Sequence, residues 1–195
     1  MSVTLDTNAL LASMAELNSL TKLALTDTDY AHSLINSASK FIEGYTKRTL
    51  KEATYTSEKY DGNGSYYLYL KQYPISSITS IHRWDTSNNV SYGTYTANSD
   101  YLYDGNRGWI YLREGFQIGV QNYQITYKAG YAALPYDVRQ ACALYCSWMD
   151  MVRDKAGLNS ESIGGYSYSL ANKDASAVPK EIFSILNKYV RLDIE

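Results

Sequence analysis

The sequence predicts an α+β protein in which an antiparallel β region is inserted between N-terminal and C-terminal helices. Two observations carry this. Apolar residues keep a helical period in the first fifty residues and again from residue 135 onward, while the stretch between reads with the period of strands. Helices and strands are segregated rather than alternating, which argues against a parallel α/β sheet. Tyrosine marks the same division: of 21 in the chain, 15 lie between Tyr55 and Tyr136.

The elements follow in order. Asn8 to Leu25 carries Leu10, Leu11, Met14, Leu17 and Leu20 at helical spacing. A second helix is expected to start at Thr26, with Asp29 three residues on. Leu34, Ile35, Ala38, Phe41, Ile42 and Tyr45 form its apolar stripe, and His32 lies off it. From Glu52 the pattern changes. Asp61-Gly62-Asn63-Gly64 reads as a turn joining Thr54–Tyr60 to Tyr66–Leu70. In the second of these runs Tyr66, Leu68 and Leu70 are expected on one face, and Tyr67, Tyr69 and Lys71 on the other. Ile78–Trp84 and Val90–Tyr95 follow as a pair, then Tyr101–Tyr103 and Trp109–Leu112 about the turn Asp104-Gly105-Asn106. Tyr123, Ile125 and Tyr127 alternate with polar residues in the last strand. Pro135 suits the first position of a helix carrying Val138, Ala141, Cys142, Tyr145, Trp148, Met149 and Val152, which is expected to end near Gly157. Residues 159–170 are rich in Ser, Gly and Tyr and show no period. Pro179 opens a final helix to Asp193. The organisation expected is N-terminal helices over 1–51, a β region over 52–132, and C-terminal helices over 133–195 with an arm at about 157–177, all as one compact domain.

Composition narrows the functional classes. Eighteen basic and 20 acidic residues give a net charge of −2, without the basic footprint of a dedicated nucleic-acid binder. No run approaches the ~20 apolar residues of a membrane span, and no basic, then apolar, leader opens the chain. Cys142 and Cys146 lie four apart on the apolar stripe of their helix and read as reduced core residues. Beyond them only His32 and His82 could complete a zinc site, so no metal and no cofactor is expected. Phosphate loops, nucleophile elbows and metalloprotease helices are absent. No catalytic residue is assigned, and the protein is expected not to be an enzyme.

The motifs, taken in order, resemble those of the head–tail connector (adaptor, or head-completion) family of tailed bacteriophages. They are Ile42-Glu43-Gly44-Tyr45-Thr46-Lys47-Arg48, with lysine where the family carries glycine, then Tyr60-Asp61-Gly62 and Pro74-Ile75-Ser76-Ser77-Ile78. Next come Gly108-Trp109-Ile110-Tyr111-Leu112, Ile125-Thr126-Tyr127-Lys128-Ala129-Gly130-Tyr131 and Pro135-Tyr136-Asp137-Val138-Arg139-Gln140-Ala141. The segment Ser160–Ser169 closes the series. The resemblance spans roughly residues 26–170.

It implies a structural virion protein made in the bacterial cytoplasm and located in the neck. Such a protein forms a ring, usually a dodecamer, beneath the portal. The ring extends the DNA channel and offers a platform to the tail. The expected partners are the portal protein, neighbouring copies of the chain and downstream neck or tail proteins; DNA passes without sequence-specific binding, and no membrane is involved. Within this frame Ile163, Tyr166 and Tyr168 of the arm are expected at the subunit interface. Ile182, Ile185, Leu186 and Tyr189 of the last helix are expected at the portal interface or against the chain's own domain. The rival reading is an aromatic-rich carbohydrate-binding or tail-associated module, which explains the tyrosines but not the flanking helices.

Overall fold

A computed structural model of the protein describes residues 10–21, 23–85, 90–154, 161–163, 166–168 and 178–191. The fold is α+β, with the β region between two helical segments. The chain divides into two units. One takes the described residues of Met1–Lys47 and Leu134–Arg191, the other Arg48–Ala133.

The helical unit contains α1 (Met14–Leu20), α2 (Thr28–Thr46), α3 (Tyr136–Asp154) and α4 (Lys180–Leu186). The first helix is shorter than its leucine spacing suggests, because a capping box sets its start. Ser13 Oγ accepts from the Glu16 N–H at 3.2 Å, and Glu16 Oε2 accepts from the Ser13 N–H at 2.8 Å. Asp27, not Thr26, caps α2, accepting from the Asp29 and Tyr30 N–H groups at 3.0 and 3.1 Å. The stripe of α2 is buried at Leu34, Ile35, Ala38 and Ile42, and that of α3 at Val138, Ala141, Cys142 and Cys146. Phe41 and Tyr145 stack between these helices at 4.3 Å. Phe183 of α4 meets the edges of Phe41 and Tyr45. A 3-10 turn, Asn187–Tyr189, follows α4.

The β unit contains two sheets. β1 (Ala53–Gly62), β7 (Gly119–Ala129), β3 (Ile75–Asp85) and β4 (Val90–Thr94) form one, in the order β1-β7-β3-β4. β2 (Tyr67–Tyr69), β6 (Trp109–Leu112) and β5 (Tyr101–Asp104) form the other, in the order β2-β6-β5. All pairings between these strands are antiparallel. Thus β3 pairs back with β4, and β5 with β6 across the Asp-Gly-Asn turn, as the sequence predicts. The hairpin expected across Asp61–Gly64 does not form: β1 pairs with β7 and β2 with β6. The turn is instead a corner between sheets. Gly62 remains in β1 and donates to Asn122 Oδ1 at 2.7 Å. A Cβ there would lie 1.7 Å from the Gln117 carbonyl oxygen, so only glycine fits this crossing.

The core of this unit draws on both sheets. Tyr123, Ile125, Tyr127 and Ala129 of β7 are fully buried, facing Leu68, Leu70, Ile110, Leu112 and Phe116. In β2 the alternation holds for Leu68, inside, and for Tyr67 and Tyr69, outside. Tyr66 departs from it. It precedes the strand, is exposed, and stacks on Tyr111 at 6.0 Å.

A bulge at Ser57, whose φ is +51°, sets the register of β1. One extra residue between Tyr55 and Glu58 reverses the strand's parity, so Tyr55, Glu58 and Tyr60 share the inner face. That change lets the Glu58 carboxylate accept from the Tyr60 and Tyr127 hydroxyls at 2.5 and 2.6 Å. The two phenol oxygens are 2.9 Å apart, and Lys71 donates its N–H to Tyr60 at 3.1 Å. Burial, first, and the adjoining carboxylate hold both phenols well above the usual tyrosine range. Neither phenol is therefore a nucleophile or base near neutrality.

Two stability outcomes follow. Tyr127→Phe removes a charge-assisted hydrogen bond with little change in volume and should cost about 1.5–3 kcal/mol in denaturant melts. Lys47, the residue after α2, has φ +55° in the left-handed region, where a Cβ is penalised. Lys47→Gly should therefore raise stability by about 0.5–1 kcal/mol; an unchanged or lower midpoint would contradict this reading of the cap.

Candidate interaction surfaces

Among the described residues no cluster of three His, Cys, Asp or Glu side chains is placed to hold a metal. His82 shares a hydrogen bond with Thr94 at 3.0 Å, and His32 is half-buried on α2. Cys142 and Cys146 are free thiols without exposed surface. The hydrogen bond with Cys142, together with burial, pushes the Cys146 thiol far up. Carboxylates that line clefts are occupied: Glu114 accepts from the Tyr95 hydroxyl at 2.6 Å, and Asp100 from the Thr96 N–H at 2.7 Å. Among the described residues no helix is long and apolar enough to cross a membrane.

The arm expected to be without regular structure forms a ribbon. β8 (Glu161–Ile163) pairs antiparallel with β9 (Tyr166–Tyr168), setting Ile163 opposite Tyr166 and Glu161 opposite Tyr168. The three residues expected at a subunit interface thus lie on facing strands; their side chains are outside the described residues.

The residues expected at the portal lie on α4 and the turn after it. Ile182 and Leu186 are fully buried and Tyr189 nearly so, within the helical unit; Ile185 is half-buried. α4 packs on α2 and α3, which fill most of its apolar face. Polar contacts hold the same element. Asp137, in the first turn of α3, accepts from the Val138 N–H at 2.9 Å and the Tyr189 hydroxyl at 2.7 Å, and pairs with Lys188. Tyr45 donates to Asn187 Oδ1 at 2.5 Å, and the Arg191 N–H to the Thr46 carbonyl at 2.9 Å. The helix is therefore seated in its own unit.

Exposed apolar surface is gathered on the β unit and on α3. The outer face of the β2-β6-β5 sheet carries Tyr67, Tyr69, Trp109, Tyr111 and Leu102. Tyr67 stands at 83° to Trp109 and 56° to Tyr111, so the rings interlock edge to face and offer no row of coplanar platforms for sugar rings. Beyond it Ile118 and Val120 project, 84% and 72% exposed. On α3, Tyr136, Leu144 and Met151 mark an outward stripe.

The Asp137 contacts make the helical unit sensitive to acid. Desolvation raises this carboxyl, but Lys188, Tyr189 and the Val138 N–H outweigh it and hold it below the usual 3.8. The Ser13 N–H, first, and Arg139 hold Glu16 below its usual 4.5. A carboxylate lowered in the folded state stabilises above its unfolded value, and that stabilisation is lost as pH falls through the folded one. Melting temperature should therefore decline below about pH 4.5, and Asp137→Asn should lower it at pH 7 while flattening the acid slope. Parallel slopes for the two proteins would contradict this.

The profile of the head completion protein family matches residues 10–192. No curated protein sequence is similar to the chain. Among solved structures, a chain from the neck of an empty GTA (gene transfer agent) particle, computed with C6 symmetry, is similar. It has a TM-score of 0.55 and 18% identity, covering 100% of this chain and 95% of the other. A chain from the virion of a native gene transfer agent particle gives 0.56 and 20%, over 94% and 91%. One from the neck of the native particle, computed with C12 symmetry, gives 0.54 and 18%, over 100% and 95%. The fold is thus shared along its length, and with the family profile matched from Leu10 to Leu192, the chain belongs to the head completion protein family.

Proposed function

We propose that this chain is a structural virion protein of the neck, a ring-forming head-to-tail adaptor beneath the portal. Its ring would extend the DNA channel and give the tail a platform, without catalysis of its own. The observation that carries this reading is the family match over 10–192, joined to a fold shared with chains from symmetric particle necks. The chemistry agrees: the tyrosines and carboxylates nearest to a reactive arrangement are spent on packing and hydrogen bonds. A net charge of −2 suits a conduit that must release DNA, because strong phosphate binding would hold it.

The partners of this role are neighbouring copies, the portal and downstream neck or tail proteins. The β8-β9 ribbon, with Ile163, Tyr166 and Tyr168, is assigned to the contact between copies. A two-stranded ribbon is marginal alone and gains from a third strand or a covering surface. The portal is assigned to α4 and its turn. Ile182, Ile185, Leu186 and Tyr189 could meet it only if the helix left its intramolecular seat. Its exposed Lys180 and Ser184 are available without that step.

The test is a particle made without this chain. Heads should package DNA yet remain tailless, and purified protein should restore tail joining. Imaging of complete particles should find the fold as a closed ring in the neck. Normal tailed particles in its absence would overturn the proposal.

A further inference from the structure

We infer that Asn63 is a site of spontaneous covalent modification. The corner between β1 and β2 sets its side-chain amide for attack by the Gly64 nitrogen, which converts Asn63 through a cyclic imide to aspartate or isoaspartate.

The sequence holds a single Asn-Gly step, Asn63-Gly64. Glycine matters because a side chain on the attacking residue would crowd the ring that forms. Both residues are exposed, so water reaches the imide. The corner adds what the pair alone lacks. Asn63 Oδ1 accepts from the Ser65 N–H at 3.0 Å. A bond from a side-chain carbonyl to the second following N–H closes an Asx turn, which mimics a backbone turn. Closing that turn folds Cγ back toward the nitrogen in between, that of Gly64. The same Ser65 N–H draws charge from the carbonyl under attack, as a donor to a developing oxyanion does. Ser65 is held in turn. Its carbonyl accepts from the Phe116 N–H at 2.7 Å, and its Oγ from the Tyr67 N–H at 3.2 Å. Gly64 has φ +76°, and its N–H has no acceptor among the described residues. The reacting atoms are thus brought together before reaction, which removes the search through rotamers.

The neighbouring Asp-Gly steps lack this arrangement. The Gly62 N–H donates to Asn122 Oδ1 at 2.7 Å, and Asp61 Oδ1 is turned to the Gln121 N–H at 2.6 Å. Asp104 Oδ1 accepts from the Arg107 N–H, three residues on, at 3.1 Å. Both are also carboxylates, whose charge repels a nucleophile.

The steps balance with water as the only co-reactant. Gly64 gives up its N–H proton to solvent and its nitrogen bonds to Cγ. The Cγ–Nδ2 bond breaks, and Nδ2 takes up a proton and leaves as ammonia. Water then opens the imide. Addition at Cγ gives aspartate at position 63. Addition at the main-chain carbonyl gives isoaspartate, with the chain rerouted through Cβ and Cγ and one carbon longer. Nothing is oxidised or reduced. Ammonia diffuses away, so the change accumulates with the age of the chain. Its effect falls on the corner. Asn63 Nδ2 donates to the Tyr67 carbonyl at 3.1 Å, a bond that a carboxylate cannot make. A Cβ at Gly62 would lie 1.7 Å from the Gln117 carbonyl oxygen, so the β1 side has no slack and the extra carbon is taken up toward β2. The new negative charge lies beside the cleft lined by Gly64, Tyr66 and Ile118.

The test incubates the full chain in ¹⁸O-water at pH 8 and 37 °C, native or unfolded in guanidinium chloride, and reads the tryptic segment 60–71, whose one asparagine is Asn63. The native chain should take up ¹⁸O there faster than the unfolded chain, by about threefold or more, because the turn is already closed. Fragmentation should place the label at position 63, as aspartate and isoaspartate. The rate should rise from pH 7 to pH 9, since the attacking nitrogen must lose its proton. Asn63→Gln, which would need a larger ring, should lose the reaction. Ser65→Pro removes the polarising N–H, and its native rate should fall to that of the unfolded chain. A native rate no higher than the unfolded one overturns the inference, and so does a folded Ser65→Pro protein that reacts as fast as the parent. If Ser65→Pro does not fold, the comparison of native with unfolded parent decides alone.

Discussion

The β unit depends on one carboxylate. Glu58 can reach the hydroxyls of Tyr60 and Tyr127 only if β1 is bulged at Ser57, and only if β7 lies in its observed register against β1. A slip of one residue would turn Tyr127 outward and Lys128 inward. Because β7 also pairs with β3, that slip would propagate across the sheet. Hydrophobic burial supplies most of the driving force, but many registers bury some tyrosine. The polar triad distinguishes one of them, because a partly buried carboxylate and two buried phenols that lost one another as partners would be costly.

Where the chain was legible, a local period or turn was enough. The alternation of Tyr123, Ile125 and Tyr127 with polar residues marked a two-faced strand, and all three prove buried, while Asp104-Gly105-Asn106 joined two strands that do pair. The corner at Asp61–Gly64 has a similar signature, yet the strands beside it enter different sheets. A turn motif reports a change of direction, and only long-range contacts, here Gly62 with Asn122 and Gln117, decide what pairs with what. Helix ends behaved likewise. Leu10 and Leu11 keep the spacing of α1 but lie before its cap, because Ser13 and Glu16 satisfy the first free N–H groups.

The interaction surfaces were less legible, for a physical reason. Tyrosine serves in the core and at the surface, so composition cannot tell Tyr127, fully buried, from Tyr67, which faces outward. Ile118 and Val120 sit in Gln-Ile-Gly-Val-Gln, which reads as an ordinary strand start; their exposure arises from hydrogen bonds made by residues elsewhere in the chain. The apolar stripe of the last helix was clear, but a stripe says that a face is covered, not by what. Here α2 and α3 cover it.

Arg48 carries a consequence of a different kind. Its guanidinium is buried, 4.0 Å from the centre of the Tyr73 ring, and donates to the Tyr73 carbonyl at 3.1 Å and the Tyr131 hydroxyl at 3.4 Å. These contacts are with dipoles and a π-face, and burial shields them from mobile ions. The Lys128–Glu52 and Arg139–Glu16 pairs, being partly solvated, weaken as ionic strength rises. In concentrated salt the surface pairs fade while the start of the β unit stays clamped, so brine should soften the rim of this protein before its seams.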